Sequence, residues 1–152
     1  MQRSERGTEK DHLRHQVAEA RKALKRVPER KMQLDTEIVT HSIAAMDHFG
    51  ALNKPIAAYN PLPSEPGPAD FAARLLAHAR TVWLPISLAD GVLAWATAPH
   101  DGQAEHQGAL GITEPHGPRY NSNVLRACAL VIAPAMAVDK HGLRLGKGAG
   151  YY

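Results

Sequence analysis

The chain has 152 residues, of which 44% are hydrophobic and 22% are charged, which is ordinary for one soluble globular domain with a core of its own. Its single cysteine, Cys128, excludes a disulfide framework within the chain. The longest apolar run, 128–138, contains a proline and is too short to cross a membrane. Residues 1–30 carry no apolar stretch typical of a secretion signal, so a cytoplasmic protein is expected.

Two helices are predicted at the N-terminus. After a polar, frayed start over 1–8, apolar residues recur at three- and four-residue steps over 9–27, which predicts an amphipathic helix that Pro28 ends. A second helix is predicted over 35–50, opened by Asp35. Ten of the eighteen Lys and Arg lie over 3–31. This basic face could meet nucleic acid or nucleotide phosphates, or it is a solvated helix surface.

Short apolar runs separated by loops follow these helices. They predict one further helix over 71–79 and strands over 55–59, 81–85, 92–97 and 125–133. Helices interleaved with continuous apolar strands favour an α/β fold. We expect a mostly parallel sheet with helices on both faces, a Rossmann-like three-layer arrangement on which the two N-terminal helices pack. Trp83 and Trp95 lie inside predicted strands and are expected in the core.

Ligands of such sheets bind where strand ends meet the connecting loops. This rule selects the loop 59–65, the loop after Pro85, Glu114, and a glycine-rich segment at the C-terminal end. That segment, 142–150, holds four glycines, and Arg144 and Lys147 add two positive charges. Its backbone N–H groups could together bind an anion, so we interpret it as a phosphate-binding loop. A flexible hinge fits the composition equally well, and the spacing matches neither a Walker loop nor a dinucleotide fingerprint.

The glycine-rich segment also resembles the signature of the 5-formyltetrahydrofolate cyclo-ligases, or 5,10-methenyltetrahydrofolate synthetases. The matching residues are Asp139, Gly142, Arg144, Leu145, Gly146, Gly148, Gly150, Tyr151 and Tyr152. A second block, Gly111-Ile112-x-Glu114-Pro115, is similar to the Gly-Ile-x-Glu-Pro motif of that family. The family continues after the tyrosine pair with Asp-Arg, a helix and a strand. We therefore expect one cyclo-ligase-like domain over 1–152 without these last elements, either a fragment of a longer protein or a shortened relative.

The resemblance implies an enzyme that uses ATP and Mg²⁺ to convert 5-formyltetrahydrofolate to 5,10-methenyltetrahydrofolate. In the family the formyl oxygen is phosphorylated, N10 attacks the activated carbon, and phosphate leaves. Phosphoryl transfer asks a protein mainly for positioning and positive charge. A monomer is expected, with ATP and the folate as its ligands and with no membrane or nucleic-acid partner.

The resemblance also implies roles for individual residues. ATP-binding residues are implied at Lys10, Arg14, Gly142, Arg144, Leu145, Gly146, Lys147, Gly148, Ala149, Gly150 and Tyr151. Folate-binding residues are implied at Tyr59, Glu65, Tyr151 and Tyr152, metal ligands at Glu114 and Asp139, and catalytic residues at Arg144 and Lys147.

Several of these residues have an ordinary structural role as an alternative. Lys10 and Arg14 share one helix face and could be surface charges. Glu65 could be an exposed loop acid. Asp139 could orient Arg144, bind the metal or only form a turn, and Glu114 suits either Mg²⁺ or an anchor for ATP.

Two functions besides catalysis stay open. The chain could be a non-catalytic folate or nucleotide binder, or it could bind nucleic acid through its basic helix, although no aromatic-interleaved motif accompanies the charge. A structural metal site is not expected, because His12 and His15 have no further ligand at a zinc-like spacing. Cys128 is expected to be a small core residue.

Overall fold

A three-stranded sheet lies at the centre of the computed structural model, which describes residues 2–100, 105–107, 113–115 and 117–148. The helices are α1 (Gln2–Lys25), α2 (Pro28–His48) and α3 (Phe71–Leu76), and a 3-10 helix spans Ser122–Ala127. The strands are β1 (Pro55–Ala57), β2 (Thr81–Ser87), β3 (Leu93–Thr97), β4 (Glu105–Gln107), β5 (Thr113–Pro115), β6 (Ala137–Val138) and β7 (Arg144–Leu145).

The central sheet has the order β1-β2-β3, with β1 parallel to β2 and β2 antiparallel to β3. Residues 129–132 extend the sheet beyond β1: the Ala57 N–H donates to the Leu130 carbonyl at 3.0 Å, and the Ile132 N–H donates to the Ala57 carbonyl at 2.8 Å. Ala57 and Val131 form a parallel bridge there. The pairs β4–β5 and β6–β7 are separate antiparallel hairpins. Residues 129–132 therefore form one edge of the sheet, and the chain continues from there into β6 and the glycine-rich segment.

Side chains cover both faces of the sheet. On one face, α2 and α3 bury Met46, Phe71 and Leu75 against Val82 and Leu84 of β2. The alternating burial of β2 directs its odd-numbered residues to the opposite face. There Trp83 and the buried Trp95 pack against Val124, Leu125 and Cys128 of the 3-10 helix region. The predicted α/β fold with helical segments on both faces is confirmed, and so is the core placement of both tryptophans.

Cys128 belongs to the second of these clusters. Its Sγ–H donates to the Val124 carbonyl at 3.5 Å, and burial raises the pKa of the thiol. A thiol with a raised pKa stays protonated near neutral pH and is a poor nucleophile. This agrees with the core role expected from the sequence.

The mostly parallel sheet that the apolar strands predict has one antiparallel strand in the described part of the chain, β3. A tight turn over 88–92 joins β2 to β3, closed by the Leu88 N–H donating to the Val92 carbonyl at 3.0 Å. A turn of this length can only connect antiparallel neighbours. β3 has a continuous apolar sequence because side chains cover it on both faces, which is also the pattern of a buried parallel strand.

The predicted strand over 125–133 is wrong in its first half. Asn121 accepts the Asn123 N–H at 2.9 Å on its side-chain oxygen and so caps the 3-10 helix Ser122–Ala127. The apolar residues of this helix pack on the sheet face, and the chain becomes extended only afterwards, alongside β1. Apolar sequence alone did not distinguish a short helix lying on the sheet from a strand within it.

Helix boundaries also differ from the prediction in all three described α-helices. α1 begins at Gln2 instead of after residue 8. α2 begins at Pro28 and not at Asp35, because proline suits the first turn of a helix, where its missing N–H has no partner to lose. The proline that ends α1 therefore also starts α2, and Asp35 lies inside the helix. α3 ends at Leu76, three residues before the predicted end at 79.

α1 is long but strongly charged, and it packs against α2. Its Arg21 reaches the segment before β6, where Nη2 donates to the Ala135 carbonyl at 2.8 Å and Nη1 contacts Met136 Sδ at 3.2 Å. This contact ties the helix to the C-terminal part of the chain. None of the helices in the described part of the chain is both long enough and apolar enough to span a membrane.

Replacing Arg21 with methionine is expected to lower the free energy of unfolding by about 1 kcal/mol, because the Ala135 carbonyl loses a charged donor. Urea denaturation followed by circular dichroism measures this change. Lys22→Met is the control, since Lys22 is exposed and pairs with the exposed Glu19 at 3.1 Å. Equal losses in the two variants would show that Arg21 does not anchor α1.

Candidate functional site

The basic helix α1 and the glycine-rich segment meet at Arg14. Its Nε–H donates to the Gly146 carbonyl at 3.0 Å, and Asp11 holds its Nη1 at 2.7 Å. Gly148 lies beside the same guanidinium, so that a Cβ added at Gly148 would lie 3.4 Å from Arg14 Cζ. Lys10 lies one turn earlier on α1 and is exposed. Three of the residues predicted to bind ATP, Arg14, Gly146 and Gly148, are therefore in one place.

A second contact joins this segment to the loop after β1. Lys147 Nζ lies 3.4 Å from Glu65 Oε2. The Glu65 side chain is only 6% exposed, whereas that of Lys147 is 46% exposed. The alternative that Glu65 is an exposed loop acid is therefore wrong. A residue predicted to bind ATP and a residue predicted to bind the folate form one ion pair.

The position of the Glu65 carboxylate is fixed by the loop itself. Its Oε1 accepts the Leu62 N–H at 2.8 Å. Tyr59, which lies just after β1, donates its hydroxyl proton to the Pro66 carbonyl at 2.7 Å and packs on Phe71 with a ring separation of 5.4 Å. Tyr59 and Glu65 thus belong to one ordered loop at the carboxyl end of β1, where the strand-end rule predicted a binding site.

A largely buried ion pair beneath this loop was not predicted from the sequence. Lys31 Nζ lies 2.8 and 2.6 Å from the two carboxylate oxygens of Asp35, one turn apart on α2, and it also donates to the Glu65 carbonyl at 3.0 Å. From the sequence, Lys31 was expected on the basic face of the N-terminal region and Asp35 at the start of a helix. Their spacing of four residues was the available signal, but it did not indicate that the pair is buried.

Asp139 has a structural role in the hairpin β6–β7. Its Oδ1 accepts the N–H groups of His141 at 2.8 Å and Leu143 at 2.9 Å, and Gly142 completes the turn at φ +82°. Arg144 at the start of β7 donates from Nη1 to the Pro134 carbonyl at 2.9 Å. The turn-forming alternative for Asp139 therefore agrees with the structure, and its role as a metal ligand stays a prediction.

Other predicted site residues lie outside the described residues, namely Ala149, Gly150, Tyr151, Tyr152, Gly111 and Ile112. Glu114 belongs to β5, where its backbone pairs with His106, and β5 packs near β2. The Glu114 side chain is not among the parts of the chain that are described. Among the described residues, no three His, Cys, Asp or Glu side chains come together in a metal-binding arrangement.

Comparisons with known proteins agree on one family. The sequence model of the 5-formyltetrahydrofolate cyclo-ligase family matches residues 6–152. The 5-formyltetrahydrofolate cyclo-ligase of Mycolicibacterium smegmatis is 29% identical over 148 residues, which cover 94% of this chain and 72% of that protein.

Two solved structures share the fold. The 5,10-methenyltetrahydrofolate synthetase of Aquifex aeolicus superposes with a TM-score of 0.72 at 25% identity, covering 94% of this chain and 69% of that one. The 5,10-methenyltetrahydrofolate synthetase of Mycoplasma pneumoniae gives a TM-score of 0.63 at 23% identity, covering 94% and 74%.

Proposed function

This chain belongs to the 5-formyltetrahydrofolate cyclo-ligase family, and we propose that it converts 5-formyltetrahydrofolate to 5,10-methenyltetrahydrofolate with ATP as the phosphoryl donor. The observation that carries the proposal is the 3.4 Å contact between Glu65 and Lys147. It brings the loop expected to hold the folate against the segment expected to hold the phosphates. Transfer of a phosphoryl group between two substrates requires their sites to adjoin in this way.

The nucleotide side of the proposed site is built from cations and backbone. Arg14 and Lys147 place a guanidinium and an ammonium group beside Gly146 and Gly148, and Lys10 follows the same helix face. Because Gly148 has no Cβ, a phosphate can approach the backbone and the Arg14 guanidinium closely. Lys147 is half-exposed, so its ammonium can turn from Glu65 towards a phosphate oxygen. Arg144 is proposed to add a further positive charge.

Mg²⁺ is proposed to accompany the nucleotide, with Asp139 and Glu114 as its protein ligands. Two backbone N–H groups on Oδ1 fix the direction of the Asp139 carboxylate, which leaves Oδ2 as the oxygen proposed to face the ion. Few protein ligands suffice, because Mg²⁺ keeps several waters and binds phosphate oxygens of the substrate. When bound, Mg²⁺ would neutralise charge that develops on the transferred phosphoryl group.

The folate side is proposed to consist of Tyr59 and Glu65. A buried carboxylate accepts hydrogen bonds from N–H groups of a pterin ring and so fixes the ring orientation, which an apolar pocket cannot do.

With both substrates in place, the formyl oxygen attacks the γ-phosphorus and ADP leaves. The N10 lone pair then attacks the formyl carbon, a C–N bond forms, N10 loses its proton, and phosphate leaves with the formyl oxygen. Arg14, Lys147 and Arg144 are proposed to hold the phosphates in line and to compensate their charge.

A direct test mixes the protein with 5-formyltetrahydrofolate, ATP and Mg²⁺ and follows the absorbance of methenyltetrahydrofolate. We expect product only when all three are present, with one ADP formed for each methenyltetrahydrofolate. Calorimetry on the same sample measures binding of each substrate separately. Binding without product would overturn the proposal and identify the chain as a non-catalytic binder, and folded protein that binds neither substrate would exclude both functions.

A further inference from the structure

The largely buried pair Lys31–Asp35 connects α2 to the loop 60–68. The two side chains are 14% and 13% exposed. Lys31 Nζ has three hydrogen-bond donors, which match its contacts with the two Asp35 oxygens and the Glu65 carbonyl. Asp35 Oδ1 also accepts the Gly67 N–H at 3.0 Å. The pair therefore binds the loop on both sides of Pro66, through the Glu65 carbonyl and through the Gly67 amide.

Stability alone does not account for such a pair. Removing two charges from water costs about as much free energy as their attraction returns, and apolar replacements of buried ion pairs are often neutral or stabilising. What an apolar pair cannot provide is a defined hydrogen-bond geometry. Here that geometry fixes the Glu65 backbone, while the Leu62 N–H fixes the Glu65 carboxylate and Tyr59 fixes the Pro66 carbonyl.

We infer that Lys31 and Asp35 are positioning residues for the folate substrate. This inference rests on the proposed function and extends it to two residues to which no role in the reaction is otherwise assigned. The pair acts through Glu65: it holds the loop in the one conformation in which the buried carboxylate faces both Lys147 and the substrate. The hydrogen bond between Arg14 and Gly146, on the proposed nucleotide side of the site, lies on other elements.

The first experiment compares three variants in steady-state kinetics. Asp35→Asn and Lys31→Met each leave a partner unpaired and are expected to raise KM for 5-formyltetrahydrofolate about tenfold. In both variants, KM for ATP is expected to stay constant or fall, since the pair does not touch Arg14 or Gly146 and a displaced Glu65 would leave Lys147 to the phosphate oxygens. The matched control is Glu19→Gln, which breaks the exposed ion pair with Lys22 on α1 and is expected to change neither KM.

The double variant Lys31→Met/Asp35→Leu separates positioning from stability. Removing both charges together leaves no charge unpaired, so the midpoint of urea unfolding should lie closer to that of the parent chain than in either single variant. KM for the folate should nevertheless stay raised, because the hydrogen bonds to Glu65 and Gly67 are gone. Recovery of the folate KM together with stability would show that the pair only stabilises the fold, and would overturn the inference.

Hydrogen exchange provides a readout that does not require activity. In Asp35→Asn the amides of Leu62 and Gly67 are expected to exchange at least about tenfold faster than in the parent chain, while amides of β2 keep their protection. Unchanged exchange at Leu62 would overturn the inference. If the parent chain has no ligase activity, the proposed function fails, while exchange and calorimetric binding of 5-formyltetrahydrofolate to the same variants still decide whether the pair positions the loop.

Discussion

Glu65→Gln is expected to weaken use of 5-formyltetrahydrofolate by about 10- to 100-fold in kcat/KM, without unfolding the protein. The side chain is buried, accepts the Leu62 N–H at 2.8 Å and faces Lys147 at 3.4 Å. Glutamine keeps the shape and one accepting oxygen, so the loop can still close on Leu62. It loses the negative charge, and a charged hydrogen bond contributes about 1.5–3 kcal/mol, which corresponds to this range of affinity.

The same substitution is expected to act differently on the nucleotide. Lys147 loses its carboxylate partner and becomes fully available to phosphate oxygens, so KM for ATP should stay constant or fall. Opposite effects on the two substrates would show that the ion pair competes with ATP for the Lys147 ammonium. In the parent chain, nucleotide binding would then release the Glu65 carboxylate for the folate, and each substrate should increase the affinity for the other.

Initial rates with each substrate varied in turn measure both values of KM. The control is Glu37→Gln, the same chemical change at an exposed position of α2, which is expected to leave both values unchanged. If Glu65→Gln instead raises both KM values equally, or changes neither, Glu65 does not hold the folate in the way that we propose.

Features of this site that depend on neighbouring residues could be predicted from the sequence, whereas contacts between residues far apart in the sequence could not. The glycine-rich segment is identifiable from the spacing of its glycines and from its charge, which are properties of neighbouring residues. The roles of Arg14 and Glu65 came only from the resemblance to the cyclo-ligase family. Their mutual arrangement was not predictable by the same means. Arg14 binds Gly146 across 132 residues of sequence, and a contact of this kind exists only once the sheet has placed both elements on the same side of the molecule.

The errors in the predicted fold have the same origin. Residues 125–133 are apolar because they pack on the sheet or beside β1, and apolar character does not distinguish these two environments. β3 looks like a parallel strand because both of its faces are covered, although its turn to β2 makes it antiparallel. In both cases tertiary packing decided between alternatives that the local pattern left equivalent.

The ion pair between Lys31 and Asp35 is the clearest example of a feature that the sequence did not predict. In the sequence they belong to a charged region, and most charges in such a region are solvated. They are largely buried because the loop 60–68 lies against α2 and contacts them through Glu65 and Gly67. No residue near either position indicates this, so the pair could be found only from the folded structure.

Gly148→Val is the second substitution with a large expected effect, a rise of at least about tenfold in KM for ATP. Gly148 has φ +94°, a conformation that a β-branched residue rarely adopts, and a Cβ there already touches the Arg14 guanidinium at 3.4 Å. The two methyl groups of valine must therefore push Arg14 away from the Gly146 carbonyl. Gly148→Ala, whose added atom remains at ordinary contact distance, is expected to have a smaller effect in the same direction.

The matched control is Gly91→Val in the turn between β2 and β3. Gly91 has a similar φ of +79°, but nothing lies within 4 Å of an added Cβ. Both valine variants should therefore lose about 1–2 kcal/mol of stability to backbone strain, measured by urea denaturation, and only Gly148→Val should raise KM for ATP.

A double-mutant cycle with Arg14→Met tests whether Gly148→Val raises KM for ATP by displacing Arg14. If valine acts by displacing Arg14, Gly148→Val should raise KM for ATP little further in a chain that already carries Arg14→Met. Fully additive effects on KM would show that Gly148 contacts the nucleotide independently of Arg14.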